Sequence, residues 1–253
     1  VWGVYWLWMP EYRDENQLVA TRDVPKAFTG EAPTDMACVR NVIGHVEAHG
    51  YAHHIERLMV LGNLALTAGV DPQAMTDWMW ASFVDGAEWV MLPNVVGMAL
   101  HADGGRMATK PYASGGAYIN KMSDSCKPCR FDPKKRTGDD ACPFTTLYWD
   151  FLARNEAAFS GNHRMGQQLA GMRRLADLDA VRERAVHVLA GERAAHQLGG
   201  IAGHRRVARE REVVTDDEDR VGAGAAVRGC AHAAAGDVAL LARARDVACI
   251  IIY

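Results

Sequence analysis

The sequence lacks several features that would assign it to a class at once. No run approaches roughly 18 consecutive apolar residues, so no membrane-spanning helix and no membrane partner are predicted. No basic stretch followed by an apolar one marks a signal peptide. Positive charge is not in excess, because 28 Lys and Arg stand against 31 Asp and Glu, and a nucleic-acid contact would need a local basic patch. Strand pairs and internal repeats are also missing, so the 253 residues predict an all-α chain.

Both ends of the sequence are unusual. The chain starts at Val1 rather than at Met, which predicts that it is a piece of a longer protein. Residues 201–253 contain no Phe, Trp, Met, Pro, Lys, Asn, Ser or Gln, but 13 Ala and 8 Arg, unlike an ordinary linker. We therefore predict a folded part over 1–195 and an atypical tail over 196–253, either disordered or translated out of frame. An intact reading frame on resequencing near Gly200 would remove the second explanation.

Apolar residues at helical spacing predict helices at 34–50, at 51–68 and from 71 onward. The expected caps and stops are Thr34 or Asp35, Gly69, and Asp71 followed by Pro72. The expected buried stripe of the third helix is Met75, Trp78, Met79 and Phe83. Residues 93–118 are glycine-rich and predict long ordered loops with short helices, which is typical of a site. Helices resume near Phe144 and continue to about Ala195.

Three cysteines have the spacing of metal ligands, in the pattern Cys126-x2-Cys129-x12-Cys142. Without a signal peptide we expect the reducing cytoplasm, where cysteines bind metal more often than they form disulfides. A fourth thiolate is needed, and Cys38 is the cysteine that remains outside the tail. The spacing alone is compatible with an iron–sulfur cluster and equally with zinc. Buried small hydrophobic residues are the plain alternative.

A second candidate is the adjacent pair His53 and His54, near the start of a predicted helix. Histidine can donate a proton near neutral pH, which suits general acid catalysis. A surface histidine or a hydrogen-bonded core histidine is the alternative for each of them.

A third candidate lies where an apolar helix meets the loops, at Asp85, Glu88, Trp89 and Asn94. Two carboxylates, an indole and a carboxamide could hydrogen-bond a polar ring system against aromatic walls. Polar residues at a helix end beside a core tryptophan are the alternative.

A basic run surrounds the cysteine motif, with few acids nearby (Asp124, Asp132 and Asp139). It could contact phosphates, or it could be a solvated loop. Its members are Lys121, Lys127, Arg130, Lys134, Lys135 and Arg136.

Taken in order, several long blocks resemble the bacterial iron–sulfur photolyase and cryptochrome family. The resemblance covers about residues 1–195. The blocks are MPEY from Met9, TDMAC ending at Cys38, GYAHHIERLMVLGN from Gly50, FVDGAEWVMLPN ending at Asn94, then ADGG, TKPY and GGAYINKMSD, and CKPCRFDPKKRTGDDACPFTTLYWDFL from Cys126.

The resemblance implies the C-terminal part of the helical FAD-binding domain of that fold, with long ordered loops around an iron–sulfur cluster. It implies a [4Fe–4S] cluster on Cys38, Cys126, Cys129 and Cys142, with a structural role. It also implies an antenna chromophore in an N-terminal α/β domain that this chain lacks. We therefore expect the chain alone to bind FAD weakly or not at all, and to expose apolar surface.

By position in these blocks, His53 and His54 match the catalytic pair on the lesion-facing side of the flavin. The implied substrate contacts are Tyr112, Tyr118 and Lys110. The implied flavin contacts are Asp85, Glu88 and Asn94, with Trp78 on the electron route to the flavin. Phe28 stands in a segment that a Trp leads in better-known relatives. Because phenylalanine ionises less readily, one station of that route is expected to be missing or displaced.

The implied activity is that of a carbon–carbon lyase, which uses light and reduced FAD to repair (6-4) photoproducts in damaged DNA. The full-length protein is expected to be a cytoplasmic monomer. Three alternatives remain at this point. They are a signalling cryptochrome-type photoreceptor, a zinc-stapled nucleic-acid-binding module without flavin, and an inactive truncated product.

Overall fold

A computed structural model describes residues 1–198, which are helical and contain no strand beyond two isolated bridges. The predicted tail therefore lies, apart from its first three residues, outside the described part. None of the helices within residues 1–198 is long and apolar enough to cross a membrane.

Twelve α-helices are present in this described part. They are α1 (Trp2–Trp8), α2 (Lys26–Thr29), α3 (Ala37–His49), α4 (His54–Glu56), α5 (Asn63–Ala68), α6 (Pro72–Ser82), α7 (Glu88–Pro93), α8 (Gly116–Met122), α9 (Pro143–Arg154), α10 (Glu156–Phe159), α11 (Gly166–Arg173) and α12 (Leu178–Leu198). Two π-helical segments, π1 (Arg57–Gly62) and π2 (Asn94–Ala99), continue α4 into α5 and extend α7. Short 3-10 turns occupy Glu11–Asp14 and His163–Met165.

The centre of the core is α9, which packs against α5, α8, α11 and α12. Pro143 stands in its first turn, where a missing N–H costs nothing. One face of the helix is fully buried, and the residues there are Phe144, Leu147, Phe151 and Leu152. The predicted apolar face of this helix is confirmed, except that Tyr148 is only half-buried.

The helix predicted at 34–50 is present, but its predicted cap is wrong. It begins at Ala37, and Met36 is the capping residue without a side-chain hydrogen bond. The hydroxyl of Thr34 instead accepts the N–H of Met36 at 3.2 Å, just outside the helix. The side chains of Thr34 and Asp35 can each form either a helix cap or a turn. The local backbone direction decides which of the two is formed.

The next two helices follow the prediction more closely. The helix predicted at 51–68 begins three residues later, at His54, and Gly69 ends it in the left-handed conformation at φ +80°. Asp71 caps α6 by accepting the N–H of Ala74 at 2.9 Å, as predicted. In the predicted stripe, Trp78 is only partly buried.

Residues 93–118 combine short helical segments with a loop, as predicted. Residues 88–99 form one helical stretch with Pro93 inside it, where its nitrogen cannot donate the usual intrahelical hydrogen bond, and π2 begins directly after it. The loop proper covers 100–115, and α8 follows.

An apolar surface is exposed on α1, as expected. Trp2, Trp6 and Leu7 are 63%, 66% and 78% exposed, although α1 packs against α7. Exposed aromatic residues grouped on one helix are typical of a contact surface.

Gly97 is required by the packing of π2. A Cβ atom there would lie 2.7 Å from Cβ of Met107 and 2.9 Å from Oδ2 of Asp103, and closer still to the hydroxyl of Tyr12. We expect Gly97→Ala to lower the free energy of unfolding by about 3 kcal/mol, measured by urea denaturation. Gly44→Ala is the matched control, because open space surrounds Gly44 on α3 and helix propensity should add about 1 kcal/mol. Equal effects of the two substitutions would contradict this account.

His101 is buried with its Nδ1 unpartnered, and burial lowers its pKa. In the unfolded chain histidine titrates at about 6.5. The contribution of His101 to the free energy of unfolding should therefore be fully present above that pH. It should decrease as the pH drops below it, because the unfolded chain takes up the proton first.

The pH dependence assigned to His101 can be tested with His101→Asn, since asparagine tolerates the observed φ of +50°. Between pH 7.5 and pH 5 the variant should lose less stability than the wild type in thermal melts. His49→Asn, at an exposed position of α3, should follow the wild type. A variant that loses as much as the wild type would refute the assignment.

Candidate functional site

The two adjacent histidines lie at the start of the α4–π1–α5 helix. His53 is the capping residue, and its Nδ1 accepts the N–H of Ile55 at 3.3 Å. The ring centroids of His53 and His54 are 4.2 Å apart with the planes tilted by 37°. His53 is exposed and His54 is half-buried. The structure thus keeps the predicted pair together but gives its members different surroundings.

His54 lines an open cleft between π1 and π2. The two π segments touch each other, and a Cβ on Gly62 would lie 2.9 Å from Cβ of Ala99. The cleft is mostly apolar, and its remaining lining comes from Arg57, Leu58, Met79, Val90, Met91, Asn94, Val95, Met98 and Ala99. Single π turns within helices are frequent at functional sites.

Arg57 is the charged residue of this cleft, and only 6% of its surface is exposed. Its Nη2 donates to Oδ2 of Asp85 at 2.8 Å, and its Nε donates to the carbonyl of Ala52 at 2.7 Å. The guanidinium lies 4.3 Å from the ring centre of Phe83 and 4.8 Å from that of Tyr51. The sequence analysis gave Arg57 no role, although an arginine inside the apolar run RLMVLG indicates a buried ion pair.

Two polar atoms near this cleft are buried without a partner, Oδ1 of Asp85 and Oδ1 of Asn94. Asn94 uses its amide nitrogen on the carbonyl of Val90 at 2.9 Å, which leaves the oxygen free. Unpaired buried oxygens cost free energy, so such atoms in a cleft indicate a ligand that donates hydrogen bonds to them.

Glu88 is placed apart from this group. It accepts hydrogen bonds from the Tyr5 hydroxyl at 3.2 Å and from Nη1 of Arg13 at 3.0 Å. Arg13 also pairs with Asp77 at 2.8 Å. In this structure the carboxylate of Glu88 joins α7 to the first residues of the chain.

Trp78 lies between two phenylalanines, 5.2 Å from Phe28 and 6.1 Å from Phe83 between ring centres. Phe83 in turn contacts the Arg57 guanidinium, so an aromatic row extends from Phe28 to the wall of the cleft. Phe28 is 4% exposed and directly adjoins Trp78.

His53 lines a different open cleft on the other side of the helix. Tyr118 shares this cleft, whose wall continues along Met59, Val60, Ile119 and Met122. Tyr112 is half-buried against the core, and Lys110 is half-buried in the loop before it. Neither Tyr112 nor Lys110 lines the His53 cleft as described.

Buried polar residues hold the tyrosine segment in place. Asn63 donates to the carbonyl of Ser114 at 2.9 Å and accepts the N–H of Ser114 at 3.0 Å. Oγ1 of Thr145 accepts the N–H of Gly116 at 2.9 Å and donates to the carbonyl of Pro133 at 2.8 Å. Because of these bonds, the segment with Tyr112 and Tyr118 is fastened to α5 and to the cysteine loop.

The four predicted cysteine ligands lie near one another, with Cys38 on α3 and Cys142 at the start of α9. Burial, followed by the neighbouring Cys142, Cys126 and Cys129, raises the pKa of Cys38 to about 12. Burial likewise raises the pKa of Cys126 to about 11 and that of Cys142.

Gly116 gives the Cys142 side chain its space, since a Cβ there would lie 2.7 Å from Sγ. Over residues 1–198 no three His, Cys, Asp or Glu side chains are grouped closely enough to hold a single metal ion.

Half of the predicted basic run is neutralised by acids that the sequence analysis did not consider. Arg130 pairs with Asp35, Lys135 with Asp140, and Arg136 with Asp177. The patch that could attract phosphates is therefore smaller than the sequence predicted. Among the described residues, no ion pair is formed by Lys121, Lys127 and Lys134.

The helical architecture, the cleft between two π segments and the four neighbouring cysteines define a helical domain with two candidate cofactor sites. No family model matches the chain. Over 175 residues it is 50% identical to the (6-4) photolyase of Agrobacterium fabrum. The aligned region covers 69% of this chain and 34% of the relative. It is also 32% identical over 107 residues to the uncharacterized protein R855 of Acanthamoeba polyphaga mimivirus, which covers 42% of this chain and 80% of that protein.

The chain belongs to the photolyase family. This confirms the family resemblance and the all-helical fold class expected from the motif blocks. The chain spans about a third of the length of the Agrobacterium relative.

Proposed function

We propose that this chain is the helical part of a light-dependent DNA-repair lyase that acts on (6-4) pyrimidine photoproducts. The observation that carries the proposal is the 50% identity to a (6-4) photolyase, together with a polar-edged apolar cleft beside His54. Damaged DNA is the proposed partner. A cytoplasmic monomer remains the expectation for the full-length protein.

The cleft between π1 and π2 is proposed to hold part of an FAD molecule. Bound FAD would supply light absorption and the transfer of one electron. Asp85 and Asn94 have unpartnered buried oxygens that can accept hydrogen bonds from a ring N–H or a hydroxyl. Methionines of α6, α7 and π2 provide an apolar, polarisable wall. Glu88, by contrast, would hold the flavin only after giving up contacts to Arg13 and Tyr5.

The histidine pair is proposed to meet the lesion. Extruding a damaged base costs less than extruding a paired one, because its stacking is already weakened. A protonated His53 or His54 would then donate a proton as charge develops on the lesion. Tyr118 lies in the His53 cleft and could contact the extruded base, with Tyr112 and Lys110 nearby in the chain.

The four cysteines are proposed to hold a [4Fe–4S] cluster that ties α3 to the start of α9. The donor set supports this, since Cys38, Cys126, Cys129 and Cys142 influence one another's charge. Its role is proposed to be structural. The antenna chromophore that the family resemblance implies stays a prediction.

The test is anaerobic purification followed by FAD titration and assay of an oligonucleotide with a single (6-4) lesion. Lesion loss under blue light, and none in darkness, is the expected result for a chain that retains FAD. If FAD binds and is photoreduced without lesion turnover, a cryptochrome-type signalling role replaces repair. No FAD binding at all would contradict the proposed flavin site in the cleft between π1 and π2.

A further inference from the structure

Glu56 connects three parts of the histidine region. Its Oε2 accepts the backbone N–H of His53 at 2.9 Å, and its Oε1 lies 3.3 Å from Nδ1 of His45 on α3. His53 completes a reciprocal capping box, because its Nδ1 accepts the N–H of Ile55. Histidine is not a usual capping residue, so this arrangement uses a candidate catalytic ring as a structural acceptor.

The capping bond determines which nitrogen of His53 carries the proton. A ring nitrogen that accepts an N–H has no hydrogen of its own, so neutral His53 must be protonated on Nε2. With Nδ1 bound to the backbone, the ring can rotate little, and it stays 4.2 Å from the ring of His54. Both the tautomer of His53 and its stacking on His54 therefore depend on the backbone conformation at His53.

We infer that Glu56 is a positioning residue, which acts through the His53 backbone to fix the tautomer of His53 and its stacking on His54. His45 orients the carboxylate from the neighbouring helix. The functional consequence rests on the proposed function, in which the pair meets the lesion, whereas the tautomer assignment does not.

The length of the glutamate side chain is the testable feature. Glu56→Gln keeps an oxygen within reach of the His53 N–H and should behave as the wild type. Glu56→Asp keeps the charge but shortens the reach, and Glu56→Ala removes the acceptor. Glu47→Ala is the matched control, because Glu47 is an exposed acid on α3 without a role in the pair.

The first measurement is the nitrogen NMR spectrum of the imidazoles at pH 8. His53 should be Nε2-protonated in the wild type, in Glu56→Gln and in Glu47→Ala, and a mixture of tautomers in the other two. The second is repair of lesion DNA by the FAD-loaded chain. Repair should fall about tenfold in Glu56→Asp and Glu56→Ala with unchanged DNA affinity, since misplaced groups lose rate.

An unchanged tautomer in both Glu56→Asp and Glu56→Ala would overturn the inference. Loss of repair in Glu56→Gln as severe as in Glu56→Ala would overturn it as well. A wild type that shows the tautomer pattern but repairs nothing would contradict the proposed function and leave the positioning by Glu56 supported.

Discussion

Cys142→Ser is expected to lose nearly all bound iron and sulfide and to be clearly less stable than the wild type. Cys142 is buried beside Gly116 at the start of α9, and metal binding by such a group contributes to the free energy of folding. Serine removes the soft thiolate but is a good helix cap at a position that now lacks a side-chain cap bond. The loss can therefore be assigned to the ligand and not to fraying of α9.

Iron, sulfide and zinc analysis after anaerobic purification gives the measurement, with about four irons per chain expected in the wild type. Cys249→Ser is the matched control, because Cys249 stands outside the predicted ligand set. Zinc without sulfide would mean that the cysteines form another kind of site. Wild-type iron content in Cys142→Ser would exclude Cys142 as a ligand.

Asp85→Ala is expected to lower the free energy of unfolding by about 2–3 kcal/mol and to abolish FAD binding. It leaves the guanidinium of Arg57, with a side chain 7% exposed, without its carboxylate. Removing one partner of a fully buried pair costs about 3–5 kcal/mol, and Asp85 keeps 27% exposure, which reduces the cost. The melting temperature should fall by about 5–10 °C.

Asp35→Ala removes the partner of Arg130 in an ion pair whose side chains are 65% and 58% exposed. Exposed pairs contribute less than about 1 kcal/mol, so this control should melt close to the wild type. Similar melting of the two variants would show that the Arg57–Asp85 pair has no special role. FAD affinity unchanged in Asp85→Ala would remove Asp85 from the flavin site.

Most of the helices could be predicted from the sequence because their signals are local. Asp71 and Pro72 predict the start of α6, because the aspartate can cap the helix and the proline has a backbone angle that suits the first turn. Apolar residues at helical spacing predict α9. The cap of α3 was predicted wrongly, since Thr34 and Asp35 could both serve and the backbone path selected neither.

The site was predicted less completely, because its geometry depends on contacts between distant residues. Motif position singled out His53, His54, Asp85 and Asn94 as candidate site residues. It could not show that the two histidines face different clefts or that Arg57 joins Asp85 across 28 residues. The acids that pair with the basic run are also far away in sequence or were not weighed, such as Asp177 for Arg136.

The π segments make this part of the gene tolerant of a change in length. A π turn holds one residue more than an α turn, so deleting a single residue from 57–62 would restore a regular helix with good hydrogen bonds. The residue removed is the extra one of the π turn, so the helix start would keep its orientation relative to α5. His53 and His54 would then still face their own clefts. A deletion within α5, which has no extra residue, would instead turn the preceding part of the helix by about 100°. We therefore expect functional relatives to lose a single codon more readily in π1 than in α5.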